Sequence, residues 1–194
     1  MKSYNLIKMQ KKVKKYMDED RYAHTQGVMY MCAALAMAHG EDLMSAQVAG
    51  LLHDCAKCMS NDKKLKICEK NGIAVSVAEA ENPFLLHAKL GAYLARKKYD
   101  VEEEDILNAI RYHTTGRPRM SRLEKIVYIA DYIEPLRNKA QNLPLIRERA
   151  FCDLDETMYL ILRDTLEYLG TSADVLDPMT KMAYDYYKEN REEN

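Results

Sequence analysis

Apolar residues along the chain recur every three or four positions rather than every second one, and that period predicts helices throughout. No run of apolar–polar alternation reads as a convincing strand. Start and stop signals divide the pattern. Gly40 closes one apolar run, Asn82-Pro83 opens another as N-cap and first helical residue, and Gly116 with Pro118 ends a third. Ser121 and Glu124 have capping-box spacing ahead of Leu123, Ile126, Val127 and Ala130, and Asp177-Pro178 marks a further start. Helices are expected near 5–17, 21–39, 42–56, 61–71, 84–98, 102–113, 121–133, 143–150, 153–169 and 178–189. The fold class is therefore all-α, a helical bundle read as one domain over residues 1–194 with a polar tail from Lys188 to Asn194.

Composition narrows the function classes. The 194 residues carry 29 Lys+Arg against 30 Asp+Glu, a formal charge of -1. That leaves no basic field for nucleic acid, and a local patch for a small phosphorylated ligand remains open. Lys2, Lys8, Lys11, Lys12, Lys14 and Lys15 make the N-terminal segment basic, and it reads as a solvated helix face rather than a membrane or nucleic-acid contact. It lacks the continuous apolar stretch of a secretory signal, and no segment has the length of a membrane span, so a cytoplasmic protein is expected. The five cysteines, Cys32, Cys55, Cys58, Cys68 and Cys152, are an odd number and are expected as free thiols. Cys55 and Cys58 form a lone Cys-x-x-Cys, read as two small buried side chains in preference to a zinc or redox pair.

The five histidines carry more information. His24 heads the series His24, Gly27, Val28, Met31, Leu35, the positions of a buried helical stripe. His53 ends Ala46, Ala49, Gly50, His53; His87 begins His87, Leu90, Gly91, Leu94; His113 ends Ile106, Ala109, Ile110, His113. Four imidazoles thus lie on the core-facing sides of four helices. His39, just before Gly40, reads instead as a partner of its helix's final carbonyls and is assigned no chemistry.

Two carboxylates join the four. Asp54 follows His53 within the apolar string Ala49 to Ala56, and Asp131 interrupts Ile126 to Ile133. An unpaired carboxylate is costly to bury. A divalent cation would explain both, and imidazole with carboxylate suits iron, manganese or zinc better than calcium. The plainer alternative is that each Asp pairs with a Lys or Arg, such as Lys57 for Asp54.

The ordered set His24, His53-Asp54, His87, His113 and Asp131 resembles the HD superfamily of metal-dependent phosphohydrolases. The strings Leu52-His53-Asp54-Cys55-Ala56-Lys57, His87 to Leu94, Ile110 to Pro118 and Glu124 to Pro135 resemble the bacterial YqeK-type symmetrical bis(5'-nucleosyl)-tetraphosphatases in particular. The similarity runs from about Tyr22 to Tyr187. It implies hydrolysis of diadenosine tetraphosphate, a small-molecule dinucleoside polyphosphate, to two ADP by a metal-activated water. The implied cofactor is iron, with one ion favoured over two and manganese or another divalent metal possible. A homodimer is possible.

Position by position, the resemblance puts the metal ligands on His24, His53, Asp54 and Asp131. His87 and His113 then serve a second metal or, preferably, the substrate phosphates, and Asp54, Lys57, His87 and His113 carry the catalytic work. Substrate contacts fall on His24, Lys57, His87, His113, Thr114, Asp131 and Arg137 and on the segment Asp174, Val175, Leu176, Asp177, Pro178, Met179. In that segment only the Pro and Thr180 resemble the family pattern well. Arg117 and Arg119 are further basic candidates near His113. The rival readings are an HD-type phosphohydrolase acting on a dNTP, a nucleoside monophosphate or a guanosine alarmone, a nucleotide sensor without turnover, and a structural helical adaptor.

Overall fold

The computed structural model describes residues 3–140, 142–170 and 177–192, and among them no strand occurs. The element order is α1 (Leu6–Lys14), α2 (Glu19–His39), α3 (Leu43–Leu52), α4 (Asn61–Lys70), α5 (Val77–Glu81), a 3-10 turn (Pro83–Leu86), α6 (His87–Tyr99), α7 (Glu104–Tyr112), α8 (Arg122–Ile133), α9 (Leu143–Ala150), α10 (Leu154–Gly170) and α11 (Pro178–Glu192). None of the helices described is long and apolar enough to cross a membrane.

The local signals act as their chemistry dictates. Asp18 and Asp42 cap α2 and α3 by accepting hydrogen bonds from Arg21 N and Ser45 N, and Gly40 ends α2 at φ 67°, a backbone region that suits glycine. Ser121 and Glu124 form the expected capping box on α8. The Asp177 carboxylate accepts from Met179 N at 2.9 Å where α11 begins.

α2 lies against α3 and α8, and α7 packs on α3, α6 and α8. Their shared core includes Leu35, Leu51, Leu52, Ile106, Ile110, Ile126 and Ile129, with Met9 and Val13 of α1 buried against it. Each such fully buried aliphatic side chain contributes roughly 1.5–3 kcal/mol. A second, smaller cluster gathers Ala56, Cys68, Leu86, Leu90 and Leu94 between α4, the 3-10 turn and α6.

Two boundaries depart from the sequence pattern at points that matter for chemistry. The helix expected over 42–56 stops at Leu52, and the chain turns through three-residue bonds, Cys55 N to Leu52 O and Lys57 N to Asp54 O. The helix expected from Asn82-Pro83 is instead a 3-10 turn followed by α6 from His87, with α5 standing before it; the Asn82 side chain makes no cap. Apolar spacing is blind to such tightening because a 3-10 turn keeps i, i+3 neighbours on one side. Gly91 matters at this junction. A Cβ there would lie 3.1 Å from Ile110 Cγ2 and 3.2 Å from the His53 carbonyl oxygen, so glycine lets α6 settle on α7 and on the end of α3.

Candidate metal centre

The chemistry-bearing side chains sit at or near helix ends that meet. His53 and His113 are the C-terminal caps of α3 and α7, His87 is the first residue of α6, Asp131 is in the last turn of α8, and His24 is in the second turn of α2.

Each imidazole is held by one nitrogen. The Nδ1–H groups of His53, His87 and His113 donate to the carbonyls of Gly50, Phe84 and Ile110, three residues back, each at 2.7 Å. His24 Nδ1–H donates to Glu134 Oε1 at 3.0 Å. A neutral imidazole that donates from Nδ1 presents a lone pair at Nε2. Those lone pairs converge on the carboxylates: His24 Nε2 is 3.1 Å from Asp131 Oδ1, His53 Nε2 is 3.5 Å from Asp54 Oδ2 and 3.9 Å from Asp131 Oδ1, and Asp54 Oδ1 is 3.3 Å from His87 Nε2 and 3.5 Å from His113 Nε2. Two sets of donor atoms are close enough to share an ion, His24–His53–Asp131 and His53–Asp54–His113.

Lone pairs so crowded repel unless a positive charge lies among them. Three of the atoms, His24 Nε2, His53 Nε2 and Asp54 Oδ1, are buried without any hydrogen-bond partner. Such orphans cost roughly 1–3 kcal/mol each, more when charged. The residues present therefore fit a divalent cation, and a donor set of imidazole nitrogens and carboxylate oxygens suits a transition metal.

Electrostatics agree. Burial opposes protonation of His53, yet the Asp54 and Asp131 carboxylates outweigh it and raise its pKa. Burial pulls the Asp54 carboxyl upward, but His53 and His113 hold it well below the usual carboxylate range. Asp131 is likewise depressed against its burial, by its close contact with His24 and by His53 and Arg137. Burial, then His113 and Lys57, push His87 down to about 3, so it stays neutral at ordinary pH.

The plainer alternative is realised in part and with other residues. Asp54 Oδ2 accepts from Arg21 Nη1 at 2.9 Å, while Lys57 Nζ stands 3.9 Å from Asp54 Oδ1. Asp131 pairs with Arg137 at 2.6 Å and is 22% exposed at its side chain, at the mouth of the centre rather than sealed within the apolar run. Neither arginine reaches the orphaned atoms. Lys57 instead donates to His87 Nε2 at 3.2 Å, from the turn after α3 and not from the helical turn expected. The Thr114 hydroxyl lies 3.3 Å from both His87 Nε2 and His113 Nε2.

Other expectations change. Arg117 forms a two-pronged pair with the buried Glu124, at 2.8 and 3.0 Å, and braces the start of α8. Cys58 is exposed rather than buried, while Cys55 is partly buried with burial and then Asp54 pushing its thiol up to about 12. His39 binds the carbonyl of Ala150 at the end of α9 instead of carbonyls of its own helix. Asp177, Pro178 and Met179 are not among the described residues lining a cleft at the centre, and Asp174, Val175 and Leu176 lie outside the described residues.

Two functional groups escaped the sequence reading, Arg21 and Glu134. Helical spacing alone bears on them, since Arg21 precedes His24 by three and Glu134 follows Asp131 by three, but solvated positions share that spacing. Glu134 is 1% exposed, and its other oxygen accepts from Leu136 N at 2.8 Å. Gly27 makes room for it, because a Cβ there would lie 2.5 Å from Glu134 Oε2.

Two clefts open on the centre. The larger, about 940 Å3, is lined by His113, Thr114, Asp131, Tyr132, Arg137 and Tyr168 among others; the smaller, about 380 Å3, includes Arg21, His24 and Glu134.

Residues 21–136 match the family model described as the HD domain. The symmetrical bis(5'-nucleosyl)-tetraphosphatase of Bacillus subtilis (strain 168) is 38% identical over 175 residues, covering 90% of this chain and 92% of that protein. The protein of the same name from Halalkalibacterium halodurans is 39% identical over 174 residues, covering 89% and 91%. A Clostridium acetobutylicum crystal structure, described as a "predicted HD superfamily hydrolase involved in NAD metabolism", superposes with a TM-score of 0.92 at 36% identity, covering 97% of this chain and all of that one.

Proposed function

This chain belongs to the HD-domain family, and we propose that it is a symmetrical bis(5'-nucleosyl)-tetraphosphatase that cuts diadenosine tetraphosphate into two ADP. The observation that carries the chemical side of this reading is the convergence of His24 Nε2, His53 Nε2 and Asp54 Oδ1, buried and unpartnered.

In our reading one ion, iron, would be held by His24, His53, Asp54 and Asp131. His53 is common to both donor sets, and its single free nitrogen can serve one ion. When bound, the ion would supply Lewis-acid polarisation of a phosphoryl oxygen and a more acidic water. The chain does the rest. Glu134 and the Gly50 carbonyl fix the tautomers and ring orientations of His24 and His53, as outer partners of such ligands do. Arg21 occupies Asp54 Oδ2 and so leaves Oδ1 facing the site. His87 and His113, with Lys57 and the Thr114 hydroxyl, form a polar wall. Neutral His87 takes a hydrogen bond from Lys57, and that ammonium and the hydroxyl turn toward phosphoryl oxygens when substrate enters. Arg137, exposed beside Asp131, balances charge on the departing diphosphate. One nucleoside occupies the larger cleft, where Tyr132 and Tyr168 offer rings to a base.

Product analysis tests the reading. Anaerobically purified, iron-loaded protein is expected to give ADP alone from diadenosine tetraphosphate. AMP plus ATP, or cleavage of another nucleotide with this one left intact, would refute it.

A further inference from the structure

The first helix carries a face that the centre does not use. Residues Leu6 to Lys15 hold five lysines, Lys8, Lys11, Lys12, Lys14 and Lys15, and no carboxylate, in a chain whose formal charge is -1. By spacing alone these lysines read as a solvated side, and the fold sorts them further. Met9 and Val13 turn inward against the core, while Ile7, Lys8, Lys11, Lys14 and Lys15 are exposed on the opposite side, within an arc of roughly 120° at 3.6 residues per turn. Lys12 fastens the helix down: its ammonium donates to the Lys98 carbonyl and stands 4.6 Å from the centre of the Tyr99 ring at the end of α6. Gln10 ties it to α2, donating to Met29 Sδ at 3.4 Å. Lys98 Nζ lies 5.4 Å from the centre of the Tyr16 ring and adds a cation at the edge of the face.

The needs of the fold account for only part of this. Cations in the last turn of a helix offset its negative end, which covers Lys11, Lys12 and Lys14. Lys8 stands a turn earlier and Lys15 after the last turn, and among the described residues no carboxylate pairs with either. Ile7 is 68% exposed amid the lysines, and Tyr16 is 55% exposed at their edge. A polyanion would answer the ammonium groups. An anionic surface that also admits apolar groups answers Ile7 and Tyr16 as well, and a bilayer interface is such a surface, taking up aliphatic side chains below its headgroups and amphipathic rings beside them. Nucleic acid fits less well, because the face is the convex side of a helix, holds no arginine and offers no groove to track a strand.

We propose that the outer face of α1 docks the protein reversibly on an anionic lipid surface, with Lys8, Lys11, Lys14 and Lys15 against headgroup phosphates and Ile7 inserted among them. The inference is independent of the proposed function, since α1 precedes the residues 21–136 that match the HD domain.

Co-sedimentation of the full chain with vesicles tests it. The wild type is expected to bind phosphatidylcholine vesicles containing about one part in three phosphatidylglycerol, to leave them as salt is raised, and to ignore phosphatidylcholine alone. Lys11→Gln, Lys14→Gln and Lys15→Gln combined should weaken binding about 100-fold, or about fivefold for each charge removed. Ile7→Ser should weaken it about fivefold. Lys63→Gln, Lys66→Gln and Lys70→Gln combined remove the same charge from exposed positions on α4 and should leave binding as in the wild type. Melting temperatures check that every variant folds. Wild-type protein that stays in solution beside the anionic vesicles, a folded α1 variant that binds undiminished, an α4 variant that loses as much, or tighter binding to polyuridylate than to vesicles would overturn the inference.

Discussion

On the floor of the centre His53, Asp54 and His113 are 0%, 2% and 3% exposed, whereas on its rim the side chains of Lys57 and Arg137 are 34% and 45% exposed. The floor is held by burial and by the Nδ1–H bonds of His53 and His113 to carbonyls, and it leaves His53 Nε2 and Asp54 Oδ1 without partners. The rim is satisfied as it stands, each cation pairing with a carboxylate or imidazole that substrate can replace. Under the proposed function the floor would fix where the reaction occurs, and the rim would select what is brought there.

The widest separation between the two regions is expected from Asp54→Ala, which should lower kcat by about 10^3-fold, in the range seen for single groups acting at reacting centres. Circular dichroism should stay helical, and retained turnover would place Asp54 outside the centre. Glu134→Gln comes next. It keeps shape while weakening the hold on His24, and a loss of about 10–100-fold in metal affinity is expected, measured by competition with a chelator. Lys57→Ala or Arg137→Ala, on the rim, should cost about tenfold in kcat/KM, chiefly through KM, with metal content unchanged. A loss confined to kcat would move these groups to the floor. Smallest is the effect of a thiol reagent at neutral pH. The exposed Cys58 should be alkylated while Cys55, partly buried beside Asp54 with its thiol pKa raised, stays unmodified, as peptide mass mapping would show.

The floor was largely legible from spacing, and the rim was not. A histidine placed on an apolar helical stripe must point inward, so His24, His53, His87 and His113 declared themselves. What spacing does not carry is the tightening after Leu52 and before His87 that aims the rings, because apolar period is insensitive to a change from four- to three-residue bonds. Arg21 and Glu134 were hidden for another reason. Polar residues one helical turn from His24 or Asp131 look like ordinary solvated positions until the partner helix is known. The pairing of Arg117 with Glu124 shows the converse, a basic side chain near the centre that serves the fold.

Elemental analysis of anaerobically purified wild type beside Asp54→Ala tests most directly whether the floor exists to hold a cation. The expected result is about one equivalent of iron, or of another transition metal, per chain in the wild type, lost together with activity in the variant. Full hydrolysis of diadenosine tetraphosphate by wild-type protein that carries no metal, and that no chelator inhibits, would contradict the account.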